Sequence, residues 1–236
     1  MQTFSWLALS WCLIPILLTG AIYLHWYGSV KELAIASSRM VVQLIAVGYL
    51  LVVIFAEPDI WVSLAVLLVM FSVAAWISIR PVKQHQGILL PAAIALSCAV
   101  AIHLLISIKM VIQVEPWYQP RILIPLAGMY FANSMTAISL TAERFFSELE
   151  NSRELLDAKK RAFQAAMIPQ INGLLAVGLV ALPGMMTGQI LSGVSPLIAV
   201  RYQIMIMAML LGTCAVASAL MLWQLGRNHE RSNAVA

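Results

Sequence analysis

Gly178-Leu179-Val180-Ala181-Leu182-Pro183-Gly184-Met185-Met186-Thr187-Gly188 lies inside an apolar run that extends from Ile168 to Leu191. A run of this length crosses a bilayer, because about 20 helical residues cover a hydrocarbon core of about 30 Å. It also carries a helix breaker well inside it. Pro183 cannot donate to the helical ladder and its ring clashes with the preceding turn, while Gly184 brings no side chain, so the helix is expected to kink or unwind there. Irregular backbone at membrane depth persists where protein or a water-filled cavity satisfies it, so the break is expected to point inward, towards other helices or a pathway. Gly184 and Gly188 add a small-xxx-small spacing that admits a close neighbouring helix. Plain helix packing explains the Pro-Gly pair as well as a pathway does.

The rest of the chain reads as an all-α, polytopic membrane protein. Of its 236 residues 62% are hydrophobic and 10% charged, against roughly 25% charged in a globular domain. Seven apolar segments of spanning length follow one another, roughly at 4–24, 39–56, 60–79, 88–108, 122–140, 168–191 and 197–225, the second with room to begin near Leu33. The first has no Lys or Arg ahead of it and no recognisable cleavage site, and is read as a retained helix. With the N-terminus outside, eleven of the fourteen Lys and Arg residues fall on the inner side, leaving Lys109, Arg121 and Arg201 outside. Cytoplasmic loops keep positive charge, so the expected topology is N-terminus out and C-terminus cytoplasmic, with 1–236 as a single transmembrane domain. Cys12, Cys98 and Cys214 are scattered through the spans, which points to buried thiols rather than a disulfide or zinc framework.

Thr141 to Met167 is the substantial segment outside the membrane. At about 100° per residue Phe145, Leu149, Leu156 and Phe163 share one face and Glu143, Glu150, Glu154, Asp157 and Arg161 the other, the pattern of an amphipathic cytoplasmic helix. Such a helix extends the neighbouring spans, lies on the membrane, or docks into a soluble partner; periodicity does not choose among these.

Several chemistries are excluded. No Gly-x-x-x-x-Gly-Lys-Ser/Thr loop occurs, so this chain has no phosphate cradle of its own and any ATP that drives it binds a separate chain. No Lys follows Lys160, which removes a retinal Schiff base from the last span, and Ser195 has no His in the later spans to activate it. Carboxylates are absent from span interiors, where proton-driven carriers place them. His103 is the best titratable candidate, more often a partner in a helix–helix hydrogen bond than a relay. The neutral polar residues Gln43, Asn133, Asn172, Gln189 and Gln203 are expected to face the bundle interior, where they hydrogen-bond between helices or line a cavity around the break at Pro183, Gly184 and Gly188. Met185, Met186, Met205 and Met209 suit soft cations such as Cu(I), but packing is the simpler role.

Val177 to Gly188, then Gly193-Val194-Ser195-Pro196 and Arg201-Tyr202-Gln203-Ile204-Met205, resemble the FetB-type permease family. Arg39 to Tyr49, Ala74-Ala75-Trp76, Ile124 to Met129 and Asn133-Ser134-Met135 extend the likeness through most of the chain. The resemblance implies the membrane subunit of an ATP-binding-cassette exporter of iron or a related metal, in a bacterial inner membrane. It also implies a homodimer with a separate ATPase subunit, ATP bound by that partner, no cofactor on this chain, and Phe145, Leu149, Leu156 and Phe163 as ATPase-coupling residues. Plant relatives of the family are linked to aluminium tolerance and nucleotide-sugar transport, so a nucleotide sugar or other small solute is the second cargo. An ATPase-independent carrier or channel, or a membrane scaffold, are the rivals from other classes. The chain departs from the family pattern at Asn172, where relatives carry an acid, at Leu175, where they carry a base, and in the 141–167 loop, which is shorter.

Overall fold

A backbone in hydrocarbon must satisfy its own polar groups, and an apolar chain without alternating polarity does so as helices. The computed structural model, which describes residues 5–56, 58–151 and 154–235, is built of helices accordingly. It divides into two units, Met1–Glu57 and Pro58–Ala236.

The first unit holds α1 (Trp6–Leu9), a 3-10 turn (Ser10–Cys12), α2 (Leu13–Trp26) and α3 (Lys31–Ala56). Ser5 caps the start, its Oγ accepting from the Ala8 N–H at 3.1 Å. Gly28, at φ 77°, turns the chain out of α2 in a left-handed conformation that a side chain would strain, and its N–H bonds to the Tyr23 carbonyl at 3.0 Å. The second span thus begins at Lys31, ahead of the expected 39 and close to the early start allowed near Leu33.

The second unit holds α4 (Ile60–Ser78), α5 (Leu89–Leu105) continued by a π-helical stretch (Ile106–Ile112), α6 (Pro120–Glu150), α7 (Leu155–Ala176), α8 (Gly184–Leu191) and α9 (Pro196–Val235). Asp59 starts α4 by accepting from the Val62 N–H at 2.9 Å. α6 is central and packs on α4, α5, α7 and α9. Alanines make this possible: Ala92, Ala95 and Ala99 on α5 and Ala158, Ala162 and Ala166 on α7 are all buried. In lipid the hydrophobic effect does not press helices together, so close backbone approach and interhelical hydrogen bonds carry association. Tyr130, Ile138 and Phe145 of α6 fill the space between. Ser139 Oγ donates to the Ser78 carbonyl at 2.8 Å, and Gln224 Nε2 donates to the Pro91 carbonyl at 3.1 Å, tying α6 to α4 and α9 to α5.

Among the described residues six helices are long and apolar enough to cross a membrane; the expected span 168–191 is not one helix but the end of α7, an unwound stretch and α8. One expectation is corrected here: 141–167 is not a single amphipathic helix. Nothing between Leu140 and Glu150 breaks a helix, so α6 continues to Glu150 through 31 residues, about 46 Å, well beyond a hydrocarbon core of about 30 Å. The chain then turns and α7 begins at Leu155, making a helical hairpin.

Candidate functional site

Between α7 and α8 the chain is unwound from Val177 to Pro183. Gly178 sits at φ 82°, and the stretch closes on itself: the Ala176 carbonyl accepts from the Leu179, Val180 and Ala181 N–H groups, and the Gly178 N–H reaches the Ala181 carbonyl at 3.0 Å. Pro183 is not a kink inside a helix but the N-cap of α8, its carbonyl accepting from the Thr187 N–H at 3.0 Å and the Thr187 hydroxyl at 3.1 Å. The expectation that the break points inward is overturned. Leu179 is 91% and Val180 84% exposed, because a turn that satisfies its own backbone leaves only apolar side chains to face outward. An added Cβ at Gly184 or Gly188 meets nothing within 4 Å, so the small-xxx-small face is open in this chain rather than filled by a helix.

Of the polar candidates, Asn133, Asn172, Gln189 and Gln203 lie on four different helices of the second unit, and Gln43 lies on α3 of the first. Asn172 is exposed on α7, against the expectation that it faces inward. Asn133 turns its amide back to the Met129 carbonyl of its own helix at 2.9 Å, a local bond in place of an interhelical one for that donor. Gln203 is buried on α9, and Gln189 is half-buried on α8 with its Oε1 enclosed and unpartnered. Since α8 packs on α9, these two glutamines belong to one helix pair. Met185, Met205 and Met209 pack in the hydrophobic core, as the packing reading expects. Cys214 is buried, but Cys12 and Cys98 are exposed, so only one of the three thiols is interior.

A buried chain of polar contacts lies where α5, its π-helical continuation, α6 and α9 meet. His103 Nδ1 lies 2.8 Å from the Ala99 carbonyl, which can only accept, so this nitrogen carries the proton and Nε2 is turned to Gly212 of α9. Ser107 Oγ donates to the His103 carbonyl at 2.7 Å and receives the Tyr130 hydroxyl at 2.6 Å. His103 thus bonds within its own helix, not across to another as expected. Sequence reading passed over Ser107, Tyr130, Ser134, Thr213 and Ser218, all buried. The available signal was hydroxyl side chains inside spans, which bury readily by bonding to the carbonyl one turn back, as Thr213 does to Met209 at 2.5 Å. Among the described residues no three His, Cys, Asp or Glu side chains gather into a metal-holding group.

The α6–α7 hairpin forms a charged end of the second unit. Glu148 of α6, only 5% exposed, pairs with Arg144 at 2.5 Å and lies 3.8 Å from Arg161 of α7, whose Nε donates to Asp157 at 2.9 Å. The hydrogen bond and charge of Asp157, with Glu148 behind, hold the Arg161 guanidinium pKa above its ordinary value. The four coupling candidates separate: Phe145 is buried, Leu149 and Phe163 pack on the core, and Leu156 is 62% exposed in the first turn of α7. His85 stacks on Phe146 with ring centroids 3.8 Å apart, and Lys159 lies over Gly226. These contacts bring the α4–α5 turn, the α6–α7 hairpin and the last turns of α9 to one pole, with Arg80, Lys83, Arg144, Lys159, Lys160, Arg161, Arg227 and Arg231 around it.

The chain matches, over residues 4–229, the model of the uncharacterised protein family UPF0014. A UPF0014 membrane protein of Synechocystis sp. is 34% identical over 227 residues, covering 89% of this chain and 87% of the relative. A protein of Escherichia coli K12 named probable iron export permease protein FetB is 33% identical over 205 residues, covering 80% and 77%. The Arabidopsis thaliana protein named ALUMINUM SENSITIVE 3 is 29% identical over 203 residues, covering 79% and 73%. No solved structure matches the chain. A helical membrane architecture with the Leu-Pro-Gly-Met-Met break, a family match across nearly the whole length and relatives of similar size lead to one conclusion: this chain belongs to the UPF0014 family of multi-pass membrane proteins.

Proposed function

We propose that the chain is the permease subunit of an ATP-driven exporter of iron or a related metal ion, working as a homodimer with two separate ATPase chains in a bacterial inner membrane. The observation that carries the reading is the α6–α7 hairpin. It projects past the apolar part of α6, and Phe145, Leu149, Leu155 and Phe163 pack it onto the core, with the half-exposed Arg161 3.8 Å from the buried Glu148. Leu156 stands exposed beside it, an apolar contact for a soluble partner. Leu155, its neighbour in sequence, and Phe163 pack on the core, and force delivered at Leu156 would pass inward through that helix. The basic pole supports a cytoplasmic hairpin and C-terminus by the positive-inside rule, and the open Gly184–Gly188 face supports a second copy as neighbour. Iron as cargo rests on the likeness to the relative whose name carries it. In that reading the cargo passes neutral groups such as Gln189 and Gln203 rather than a fixed carboxylate cage, which suits release over retention.

The test is ATPase activity and metal efflux in proteoliposomes holding this chain and its candidate cassette ATPase, with ferrous iron, other metals and a nucleotide sugar supplied in turn. Stimulation by a metal, lost on replacing Leu156 by Asp, is the expected result. Stimulation by the sugar alone would move the cargo to the second class, and flux that ignores ATP would make the chain a carrier or channel.

A further inference from the structure

We infer that the last turns of α9 hold the phosphate of an anionic phospholipid against the start of α5. A cavity of about 250 Å³ opens there, lined on one side by Trp223, Arg227, Asn228 and Arg231 and on the other by Gly87 and Leu90. Trp223, Arg227 and Arg231 recur every fourth residue and so share one helix face. The Arg227 guanidinium carbon lies 4.8 Å from the centre of the Trp223 ring. Stacking occupies the face of a guanidinium and leaves its in-plane N–H donors at the edge, the geometry that takes two phosphate oxygens at once. No carboxylate is among the residues lining the cavity. The far wall is fixed, because Gln224 Nε2 donates to the Pro91 carbonyl at 3.1 Å and staples α9 to α5. Ile88 caps α5 without a side-chain acceptor, so the positive end of that helix adds to the field of the two arginines.

The neighbouring surface selects a lipid over a free phosphate. Leu90 and Trp223 are largely exposed at the mouth. The apolar run of α9 ends at Leu225, which places Arg227 just past the hydrocarbon and Trp223 just within it. A phosphodiester at Arg227 and Arg231 would therefore have its acyl chains beside Leu90 and Trp223. A soluble phosphate has no use for that apolar lip.

The experiment takes the full chain, purified and delipidated, and measures by native mass spectrometry the retention of phosphatidylglycerol, phosphatidylcholine and inorganic phosphate. The expected result is preferential retention of phosphatidylglycerol, reduced about thirtyfold in the Arg227→Gln/Arg231→Gln variant, each basic residue near the surface contributing about fivefold. Asn228→Asp brings a like charge to an exposed position without removing a packed side chain. It should lower phosphatidylglycerol retention while the thermal transition stays in place, which keeps the test decisive if the double variant folds poorly. Equal retention of the two lipids by the natural chain, undiminished phosphatidylglycerol in both variants, or inorganic phosphate that binds and displaces the lipid would each overturn the assignment.

Discussion

At the scale of single residues, Gly212 and Gly188 look alike in sequence and differ in consequence. A Cβ at Gly212 would run into the imidazole of His103, whose Nδ1 is held on the Ala99 carbonyl, whereas a Cβ at Gly188 meets nothing. Gly212→Ala should therefore destabilise the fold by about 1–3 kcal/mol, as overpacking does, while Gly188→Ala should be neutral or stabilising by up to about 1 kcal/mol. Thermal unfolding in detergent compares the two, and equal transitions would mean that His103 is free to leave α9. Tyr130→Phe makes a finer test. Ser107 spends its proton on the His103 carbonyl, so Tyr130 donates the second bond. Its loss should cost about 0.6–1 kcal/mol without altering the helix content seen by circular dichroism.

At the scale of elements, the α6–α7 hairpin shows what periodicity can and cannot reveal. Phe145, Leu149, Leu156 and Phe163 do form one apolar pattern, and three of them do meet the core, but across a turn rather than along one helix. The helical period survives a short turn whenever the residues skipped approximate whole turns, so the pattern alone carried no mark of the break. Asn151 was the legible signal: a residue that accepts a helix C-terminus, followed by a new start at Glu154. The Pro-Gly break was legible by contrast, since Pro183 removes a ladder hydrogen bond and Gly184 follows it, although Pro125 and Pro169 lie inside α6 and α7 without ending them. Its outward direction was not, because it depends on the Ala176 carbonyl accepting three N–H groups at once. The hairpin yields a paired prediction. Leu156→Asp should change stability by less than about 0.5 kcal/mol, being an exposed site, and yet, if the proposed function holds, abolish copurification with the proposed ATPase partner. Phe145→Ala should cost about 3 kcal/mol by leaving a cavity in the core. Copurification that survives Leu156→Asp would place the partner elsewhere on the chain.

At the scale of the molecule, fold class, family and the positions of most helices could be read from composition, hydropathy and the Leu-Pro-Gly-Met-Met segment, while the gathering of polar groups could not, since it depends on which helices touch. The basic pole belongs to that second kind of fact. Among the described residues eight Lys and Arg on the α4–α5 turn, the hairpin and the end of α9 are scattered between positions 80 and 231 and share one end only because α6 and α9 hold those elements together. At the opposite end Ser63 Oγ, which donates to the Asp59 carbonyl at 2.8 Å, also lies 3.2 Å from the Tyr118 carbonyl, bringing the start of α4 to the turn before α6, where Arg121 is the nearest basic residue in sequence. Translocation across a membrane retains the basic end on the cytoplasmic side, about 1 kcal/mol per basic residue favouring contact with an anionic inner surface. A green fluorescent reporter fused after the last residue should therefore fluoresce, and alkaline phosphatase inserted between Ser192 and Pro196 should be active outside. Adding four lysines to the Gln113–Gln119 turn should reduce insertion or invert part of the chain, because both ends would then compete for the same side. Phosphatase activity at the C-terminus with none at 192–196 would invert the whole arrangement, and with it the placing of the hairpin beside a cytoplasmic ATPase.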